Sequence, residues 1–355
     1  MTTEGSPQVN SHIYFNLRRS RSRTSLLGII MTDLLNVRHL TTRFQTPDGL
    51  VHAVNGISFQ IYPGETIGIV GESGSGKTMA MMSILRLLPG TAKAISTGEV
   101  WFESRDLLKL SEAQMRQIRG SSLAVVFQNS LSALNPVLRI EKQLTEAMTR
   151  HLGLTATAAQ KRALELLDAV GIPDAKNRIR HYPHQFSGGM RQRVAIAMGI
   201  ACNPKLLIAD EPTTALDVTI QAQIVDLIKH LKAEMGMAAL WITHDLALLA
   251  GFADRIFVMY AGQIVEQAPL RQLYYEPRHP YTIGLLQSLP RLDADQPQRL
   301  QAIEGFPPDL MHYPQGCPFA ARCPYVIDRC HHEDPILESV GDDHTVACWV
   351  KPSYN

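Results

Sequence analysis

The sequence lacks any run of about eighteen or more apolar residues, the length that a membrane-spanning helix needs. It also lacks an excess of one charge, because 34 Lys and Arg residues are balanced by 33 Asp and Glu residues. The first absence predicts that the chain does not cross a membrane. The second argues against nucleic acid as a partner. Hydrophobic residues still make up 45% of the 355 residues, which is typical of a well-packed globular protein.

Cysteine is scarce and unevenly placed. Four of the five cysteines lie near the C-terminus, at Cys317, Cys323, Cys330 and Cys348. The fifth, Cys202, has apolar neighbours in a predicted helix, which indicates a position in the core. An intracellular location disfavours disulfides, so the C-terminal group is a candidate metal site.

The first thirty residues differ in composition from the rest. Four arginines between Arg18 and Arg23 precede a short apolar run at 26–30. A signal peptide would need a longer apolar stretch followed by a small-residue cleavage site. We therefore predict that residues 1–31 form a disordered leader, with Met31 as a natural alternative start.

Short apolar runs alternate with helical patterns from residue 32 onward. The runs at 67–70, 206–209 and 239–243 are typical of buried strands, and a helix is predicted from Lys77 to Leu88. Strands that alternate with helices predict a mainly parallel sheet covered by helices. Residues 130–200 are predicted to be a helical insert. After about residue 270 proline becomes frequent, which indicates a C-terminal extension over 271–355.

A phosphate-binding loop follows the first buried strand. Eight residues match the pattern G-x-x-x-x-G-K-[ST]: Gly71, Glu72, Ser73, Gly74, Ser75, Gly76, Lys77 and Thr78. Glycines let the backbone wrap closely around a phosphate, and the following helix N-terminus favours an anion. We expect Lys77 to reach the β- and γ-phosphates of ATP and Thr78 to offer its hydroxyl to Mg²⁺.

Two adjacent acids follow the second buried strand. Asp210 and Glu211 come directly after four apolar residues, so the strand delivers both carboxylates to the edge where α/β sheets bind ligands. We expect Asp210 to hold Mg²⁺, directly or through water, and Glu211 to polarise the attacking water.

A third motif carries a resemblance to a known family. Phe186, Ser187, Gly188, Gly189 and Met190 precede a helical run. Alone they look like any helix N-cap. In this order, after the phosphate loop and before the acid pair, they resemble the L-S-G-G-Q signature of ATP-binding cassettes, with Phe and Met as departures. The resemblance covers about residues 34–265.

The resemblance implies a fold and further site residues. The implied fold class is α/β: a RecA-like core with an antiparallel β subdomain and a helical subdomain over about 130–200, within a cassette at 32–270, followed by a Pro- and Cys-rich extension. Gln128 resembles the Q-loop glutamine that senses Mg²⁺, and His244 the switch histidine near the γ-phosphate. Phe44 resembles the aromatic that stacks on adenine, and Asp217 lies in a D-loop-like segment. Ser187, Gly188 and Gly189 would contact ATP held by the phosphate loop of a second subunit.

Three further stretches narrow the resemblance. They are Tyr182 to Arg193, Ala209 to Gln223, and Arg278-His-Pro-Tyr-Thr282. They resemble ATPases of bacterial dipeptide and oligopeptide importers, although nickel importers share much of the pattern. The implied partners are a second and different cassette, two membrane permease subunits and an extracytoplasmic solute-binding protein. The implied location is the cytoplasmic face of the inner membrane.

The cysteine group allows three interpretations. The C-x₂₋₄-C pairs of zinc sites are missing, although His331 and His332 keep zinc open. Four more widely spaced thiolates suit a [4Fe–4S] cluster, and the resembled family carries such clusters in its C-terminal region. Unligated thiols are the third interpretation.

Two other classes of function remain to be distinguished from transport. One is a soluble cassette ATPase of DNA repair or translation, but such proteins carry a long coiled-coil insert or two cassettes. The other is an iron–sulfur or redox sensor in which ATP binding is secondary. The complete hydrolytic set of residues favours transport over both.

Overall fold

Two β-sheets organise the chain in the computed structural model, which describes residues 32–90, 93–129, 133–214, 216–289 and 302–352. The leader predicted at residues 1–31 lies outside these ranges. The strands are β1 (Leu35–Thr46), β2 (Gly49–Ile61), β3 (Thr66–Val70), β4 (Lys93–Phe102), β5 (Arg105–Asp106), β6 (Leu123–Val126), β7 (Leu206–Asp210), β8 (Ala238–Thr243), β9 (Arg255–Tyr260), β10 (Gln263–Pro269), β11 (Glu338–Gly341) and β12 (His344–Val346).

Helices cover the sheets and fill the connections between strands. They are α1 (Lys77–Leu85), α2 (Glu112–Ile118), α3 (Ile140–Leu152), α4 (Ala156–Ala169), α5 (Ala175–Arg178), α6 (Gly188–Ile200), α7 (Val218–Met235), α8 (Leu270–Tyr275), α9 (Pro280–Gln287) and α10 (Arg329–His332). Within the described ranges, no helix is both long and apolar enough to cross a membrane.

The larger sheet has the strand order β11-β12-β10-β9-β3-β8-β7-β6. Its strands from β9 to β6 run parallel, and β10, β12 and β11 join antiparallel at one side. Every residue of β3, β7 and β8 is buried, because helices cover both faces of a parallel sheet. The predictions of buried strands and of a mainly parallel sheet are confirmed.

The smaller sheet is antiparallel, with the strand order β2-β1-β4-β5. A turn at Pro47 and Asp48 separates β1 from β2, and the two strands form a hairpin whose pairing runs from Thr46 and Gly49 to Leu35 and Ile61. Phe44 lies in the middle strand, opposite Val51 of β2 and Ala94 of β4. In the chain, β2 of this sheet is followed by β3 of the larger sheet, which leads into the phosphate loop.

The helices α3 to α6 all fall between β6 and β7, in the interval predicted as a helical insert. Their apolar faces share one core, to which Leu144, Leu167 and Val194 contribute fully buried side chains. Cys202, which follows α6, is also buried at 6% exposure, so its predicted core position is confirmed.

Helix α1 ends earlier than the sequence predicts. Pro89 and Gly90 suggested an end after Leu88, but Arg86 adopts a left-handed φ of 53° and its N–H turns back to Met82 and Ser83. The Arg86 guanidinium donates to the carbonyl oxygen of Leu107 at 3.1 Å. A long-range contact therefore holds the residue that ends the helix.

The C-terminal extension contributes two strands, β11 and β12, to the larger sheet. Glu266 of β10 pairs with Val346 of β12. The fully buried Glu266 carboxylate accepts the backbone N–H groups of Arg278 and His279 at 2.7 and 2.9 Å, and His344 Nε2 lies 2.7 Å away. Residues on both sides of the predicted boundary at 270 thus share one buried charge, and the boundary itself stays a prediction.

Candidate functional site

The phosphate loop connects β3 to α1 through a position that only glycine can occupy. Gly76 has φ of 97° at the N-cap of α1, and a Cβ there would lie 2.5 Å from the carbonyl oxygen of Ala53. A side chain would therefore push two backbone segments apart. The turn brings the chain directly into a helix N-terminus, whose free N–H groups and dipole favour a phosphate.

Lys77 lies buried inside this loop. Its Nζ donates to the carbonyl oxygens of Gly71 and Glu72 at 2.7 and 2.8 Å. Burial lowers the pKa of Lys77, and the nearby carboxylates of Glu211 and Asp210 offset part of that effect. The ammonium is therefore held across the loop's own carbonyl oxygens, next to the place where a phosphate would bind.

Asp210 and Thr78 bring oxygen atoms together beside the loop. The Thr78 hydroxyl donates to Oδ1 of Asp210 at 3.2 Å, although the residues belong to α1 and to the end of β7. Burial raises the pKa of Asp210, and the Thr78 hydrogen bond works against that rise. A carboxylate and a hydroxyl are oxygen ligands of the kind that Mg²⁺ prefers, so these residues fit the predicted metal role.

Glu211 is the point at which three separate loops meet. Its Oε2 accepts from Gln128 Nε2 at 3.0 Å and from the Thr214 hydroxyl at 2.9 Å, and His244 Nδ1 lies 3.3 Å away. Glu211 adopts a left-handed φ of 45°, and its N–H donates to the carbonyl oxygen of Ile242 on β8. The neighbouring strand β8 thus holds the backbone of Glu211, and loop residues hold its side chain.

The signature residues and Asp217 lie at two helix N-termini. Ser187 Oγ accepts from the N–H of Met190 at the start of α6, and Asp217 Oδ1 accepts from that of Ile220 at the start of α7. Ser187, Gly188 and Asp217 are exposed. Within the described residues, no hydrogen bond or ion pair joins Ser187 or Asp217 to the phosphate loop. Contacts and nearby charges link Lys77, Asp210, Glu211 and His244 to one another, and none of these contacts within the described residues involves Ser187.

The remaining predicted residues differ in exposure. Ser75 is buried, Ser73 and Gly74 are exposed, and Phe44 is half-buried on β1. Glu72 to Ser75 line one wall of a cleft whose other walls are Tyr260, Ala261, Pro307, Pro308 and Leu310. The extension therefore contacts the phosphate loop directly.

Sequence reasoning missed three residues that contact predicted site residues. Thr214 contacts Glu211, Tyr281 accepts the backbone N–H of Glu72 at 2.7 Å, and Arg322 forms an ion pair with the Glu72 carboxylate. Thr214 follows the acid pair by only three positions, which was a usable signal. Tyr281 and Arg322 are more than two hundred positions away from Glu72.

The four C-terminal cysteines line one cavity. Pro280, Phe319 and Trp349 are among its other walls. Gly316 lets the segment close, because a Cβ there would lie 2.3 Å from the carbonyl oxygen of Cys330. Burial raises the pKa of Cys317 to about 12 and that of Cys348 to about 11, and neighbouring cysteines add to both.

The side chains of this cavity are not arranged around a single ion. Among the described residues, no group of three His, Cys, Asp or Glu side chains is close enough to hold one metal ion. Tetrahedral zinc at its usual Zn–S distance of about 2.3 Å would need such convergence. His331 and His332, which kept zinc open, do not line the cavity.

Comparison with known proteins identifies the two parts of the chain. Residues 54–214 match the ABC transporter family, and residues 265–330 match the oligopeptide/dipeptide transporter C-terminal region. The dipeptide transport ATP-binding protein DppD of Bacillus subtilis is 49% identical over 321 residues, which cover 90% of this chain and 96% of that protein. The oligopeptide transport ATP-binding protein OppD of Escherichia coli is 47% identical over 305 residues, which cover 86% and 90%.

Solved structures give the same fold. The ATP-binding cassette MJ0796, in a dimeric post-hydrolysis state with ADP and phosphate, superposes with a TM-score of 0.60 at 30% identity. The match covers 67% of this chain and 99% of that one. The predicted cassette fold and the resemblance drawn from the motifs are confirmed. The chain belongs to the ABC transporter ATPases that carry the C-terminal region of oligopeptide and dipeptide transporters.

Proposed function

We propose that this chain hydrolyses Mg·ATP with Glu211 as the base that polarises the attacking water. The convergence of Gln128, Thr214 and His244 on Oε2 of Glu211 supports this role most directly. A general base must be held in one orientation within reach of the proton that it takes. Three contacts from three loops hold this carboxylate at the ligand-binding edge of the sheet.

The other site residues bind the nucleotide and its metal. Lys77 moves from the carbonyl oxygens of Gly71 and Glu72 to the β- and γ-phosphates, as phosphate-loop lysines do. Thr78, Gln128 and Asp210 would hold Mg²⁺, which neutralises phosphate charge when bound. His244 senses the γ-phosphate, and Phe44 stacks on adenine.

ATP also joins two cassettes in this proposal. Ser187, Gly188, Gly189 and Asp217 would contact ATP that is held by the phosphate loop of the other subunit. The exposure of Ser187, Gly188 and Asp217 supports this composite site, as does the dimeric state of the cassette MJ0796. Closure adds contacts only while γ-phosphate is present, so hydrolysis reverses it. We infer that the partner cassette is a different chain.

The transported solute is inferred from the relatives. Proteins named for dipeptide and oligopeptide transport are 47–49% identical to this chain, and the C-terminal region matches that of such transporters. We therefore infer that the chain powers peptide import at the cytoplasmic face of a bacterial inner membrane. Its partners would be two permease subunits, with a solute-binding protein acting through them.

Reconstitution tests both halves of the function. The chain is assembled with its permease subunits and partner cassette in lipid vesicles, and phosphate release from Mg·ATP is measured. A solute-binding protein loaded with peptide should raise the rate, and the same protein with Ni²⁺ should not. A response to nickel instead would identify the alternative importer. Stimulation by DNA or ribosomes without the permease would contradict transport and favour a soluble cassette ATPase.

We also propose that Cys317, Cys323, Cys330 and Cys348 hold a [4Fe–4S] cluster. Each cysteine binds a different iron in such a cluster, so the four thiols stand around a cavity instead of sharing one ion. The shared cavity that these four cysteines line supports this proposal. The cluster would have a structural role, because ATP hydrolysis transfers no electrons.

A further inference from the structure

Glu72 of the phosphate loop is held at three of its groups at once. Its carbonyl oxygen accepts from Lys77 Nζ at 2.8 Å, and its backbone N–H donates to the Tyr281 hydroxyl at 2.7 Å. Its carboxylate accepts two hydrogen bonds from Arg322, at 2.7 and 3.0 Å. Glu72 therefore links the lysine that would bind phosphate to residues far along the chain.

Arg322 is itself fixed in one orientation. Its side chain is only 4% exposed, and its guanidinium also donates to the Tyr260 hydroxyl at 3.3 Å and to the carbonyl oxygens of Ile303 and Glu304. The guanidinium lies 5.8 Å from the ring centre of Tyr260 and 5.9 Å from that of Phe319. A planar, two-point pair of this kind fixes direction as well as charge.

The residues that hold Glu72 from outside the loop come from the extension. Tyr281 belongs to the stretch Arg278–Thr282, and Arg322 belongs to the cysteine segment, residues 317–348. ATP hydrolysis by itself explains neither of these two C-terminal patterns. Tyr260, Tyr281 and Phe319 pack against one another with ring centres 4.7 to 5.4 Å apart. This aromatic cluster connects Tyr260, at the end of β9, to Phe319 of the cysteine segment. Tyr281 of the cluster also contacts the phosphate loop at Glu72.

We propose that Arg322 is a positioning residue for ATP binding, which acts through Glu72 to hold the backbone of the phosphate loop in the shape that receives phosphate. The proposal rests on the proposed ATPase function. It gives the C-terminal extension a second role, as a support for the nucleotide site. Loss of the ion pair releases the Glu72 carboxylate and loosens the loop backbone around it, while Glu211 and its contacts stay in place.

The predicted signature is a change in KM without a matching change in kcat. In the assembled transporter, Arg322→Gln should raise the KM for ATP about tenfold, the size of a typical coupling between a site and a contact outside it. The kcat at saturating ATP should stay within about twofold, because the hydrolytic residues are untouched. Arg322→Lys keeps the charge but loses the two-point geometry, so its KM should lie between the two.

Arg329→Gln is a matched control. Arg329 also precedes a cysteine and pairs with a glutamate, Glu333, but its partners lie within the extension. Its KM for ATP should equal that of the wild type. Iron content is measured in every variant, so an effect that comes from the neighbouring cysteine site is seen separately.

A double-mutant cycle with Glu72→Gln decides whether the pair carries the effect. Arg322→Gln should change KM little once Glu72 is already Gln, because coupled residues are not additive. An unchanged KM in both Arg322 variants, or equal KM changes in Arg322→Gln and Arg329→Gln, would overturn the proposal. If Arg322→Gln does not fold, Arg322→Lys is decisive. A wild-type complex without ATP hydrolysis would instead contradict the proposed function.

Discussion

The side-chain amide of Gln128 donates a 3.0 Å hydrogen bond to Oε2 of Glu211, across 83 positions of sequence. The same oxygen accepts from Thr214 and lies near His244. Three residues therefore contact one carboxylate: Gln128, Thr214 of the D-loop-like segment, and His244. A change at any of these loops can move the group that the proposed reaction depends on.

The first prediction concerns this carboxylate. Glu211→Gln keeps the size of the side chain but removes the base, so turnover should fall about a hundred- to ten-thousand-fold, the usual contribution of a general base. ATP affinity should stay close to that of the wild type, because the phosphate loop is unchanged. Single-turnover hydrolysis and equilibrium ATP binding measure the two quantities. Near-normal turnover in this variant would refute the assignment of Glu211.

Phe44 supplies a test of the adenine position. Stacking of a base on an aromatic ring contributes about 1–3 kcal/mol, so Phe44→Ala should weaken ATP binding roughly tenfold or more. Phe44→Trp retains a stacking surface and should bind nearly as well as the wild type. Both are measured by equilibrium binding with Mg·ATP. Equal affinities for all three proteins would place adenine elsewhere.

The proposed iron–sulfur cluster at the four C-terminal cysteines predicts a coloured protein. Chain purified without oxygen should be brown and contain iron and sulfide, and Cys323→Ser should lose both. Cys202→Ala is the matched control, since Cys202 is buried in the core and does not line the cavity. Its iron content should equal that of the wild type. A colourless preparation with stoichiometric zinc would show that the cluster assignment is wrong.

His279 predicts how stability depends on pH. Its Nδ1 accepts the N–H of Tyr281 at 3.1 Å, and burial lowers the pKa of His279 to about 4 from the ordinary 6.5. Between pH 6.5 and pH 4, His279 is therefore protonated in the unfolded chain but neutral in the folded chain. The contribution of His279 to the free energy of unfolding is fully present above pH 6.5, and it is lost as the pH falls toward 4. The difference corresponds to roughly 3 kcal/mol.

The measurement is the free energy of unfolding of the protein at several pH values. His279→Asn keeps an acceptor for the Tyr281 N–H but cannot take up the proton, so its stability should change less across that window. The exposed His312, changed to Asn, serves as the control and should retain the wild-type slope. A slope that is the same for all three proteins would mean that His279 does not cause the dependence.

Much of the fold and of the nucleotide site was predictable from contiguous residues. The apolar runs of β3, β7 and β8 are each recognised from about four or five neighbouring residues, because a strand buried on both faces is made mostly of apolar side chains. The phosphate loop is equally local, since its glycines and lysine act through the backbone of a single turn. The acid pair follows from its place at the end of β7.

The tertiary structure alone decided the contacts between distant segments. Arg86 ends α1 at Leu85 because carbonyl groups beyond the helix hold it, and β12 joins β10 around the buried charge of Glu266. Arg322 and Glu72 are 250 positions apart in the chain, and nothing in the local pattern of either predicts their pairing. The hydrophobic periodicity of a sequence indicates which face of a helix or strand is buried. The partner of a charged side chain depends instead on how whole elements pack together.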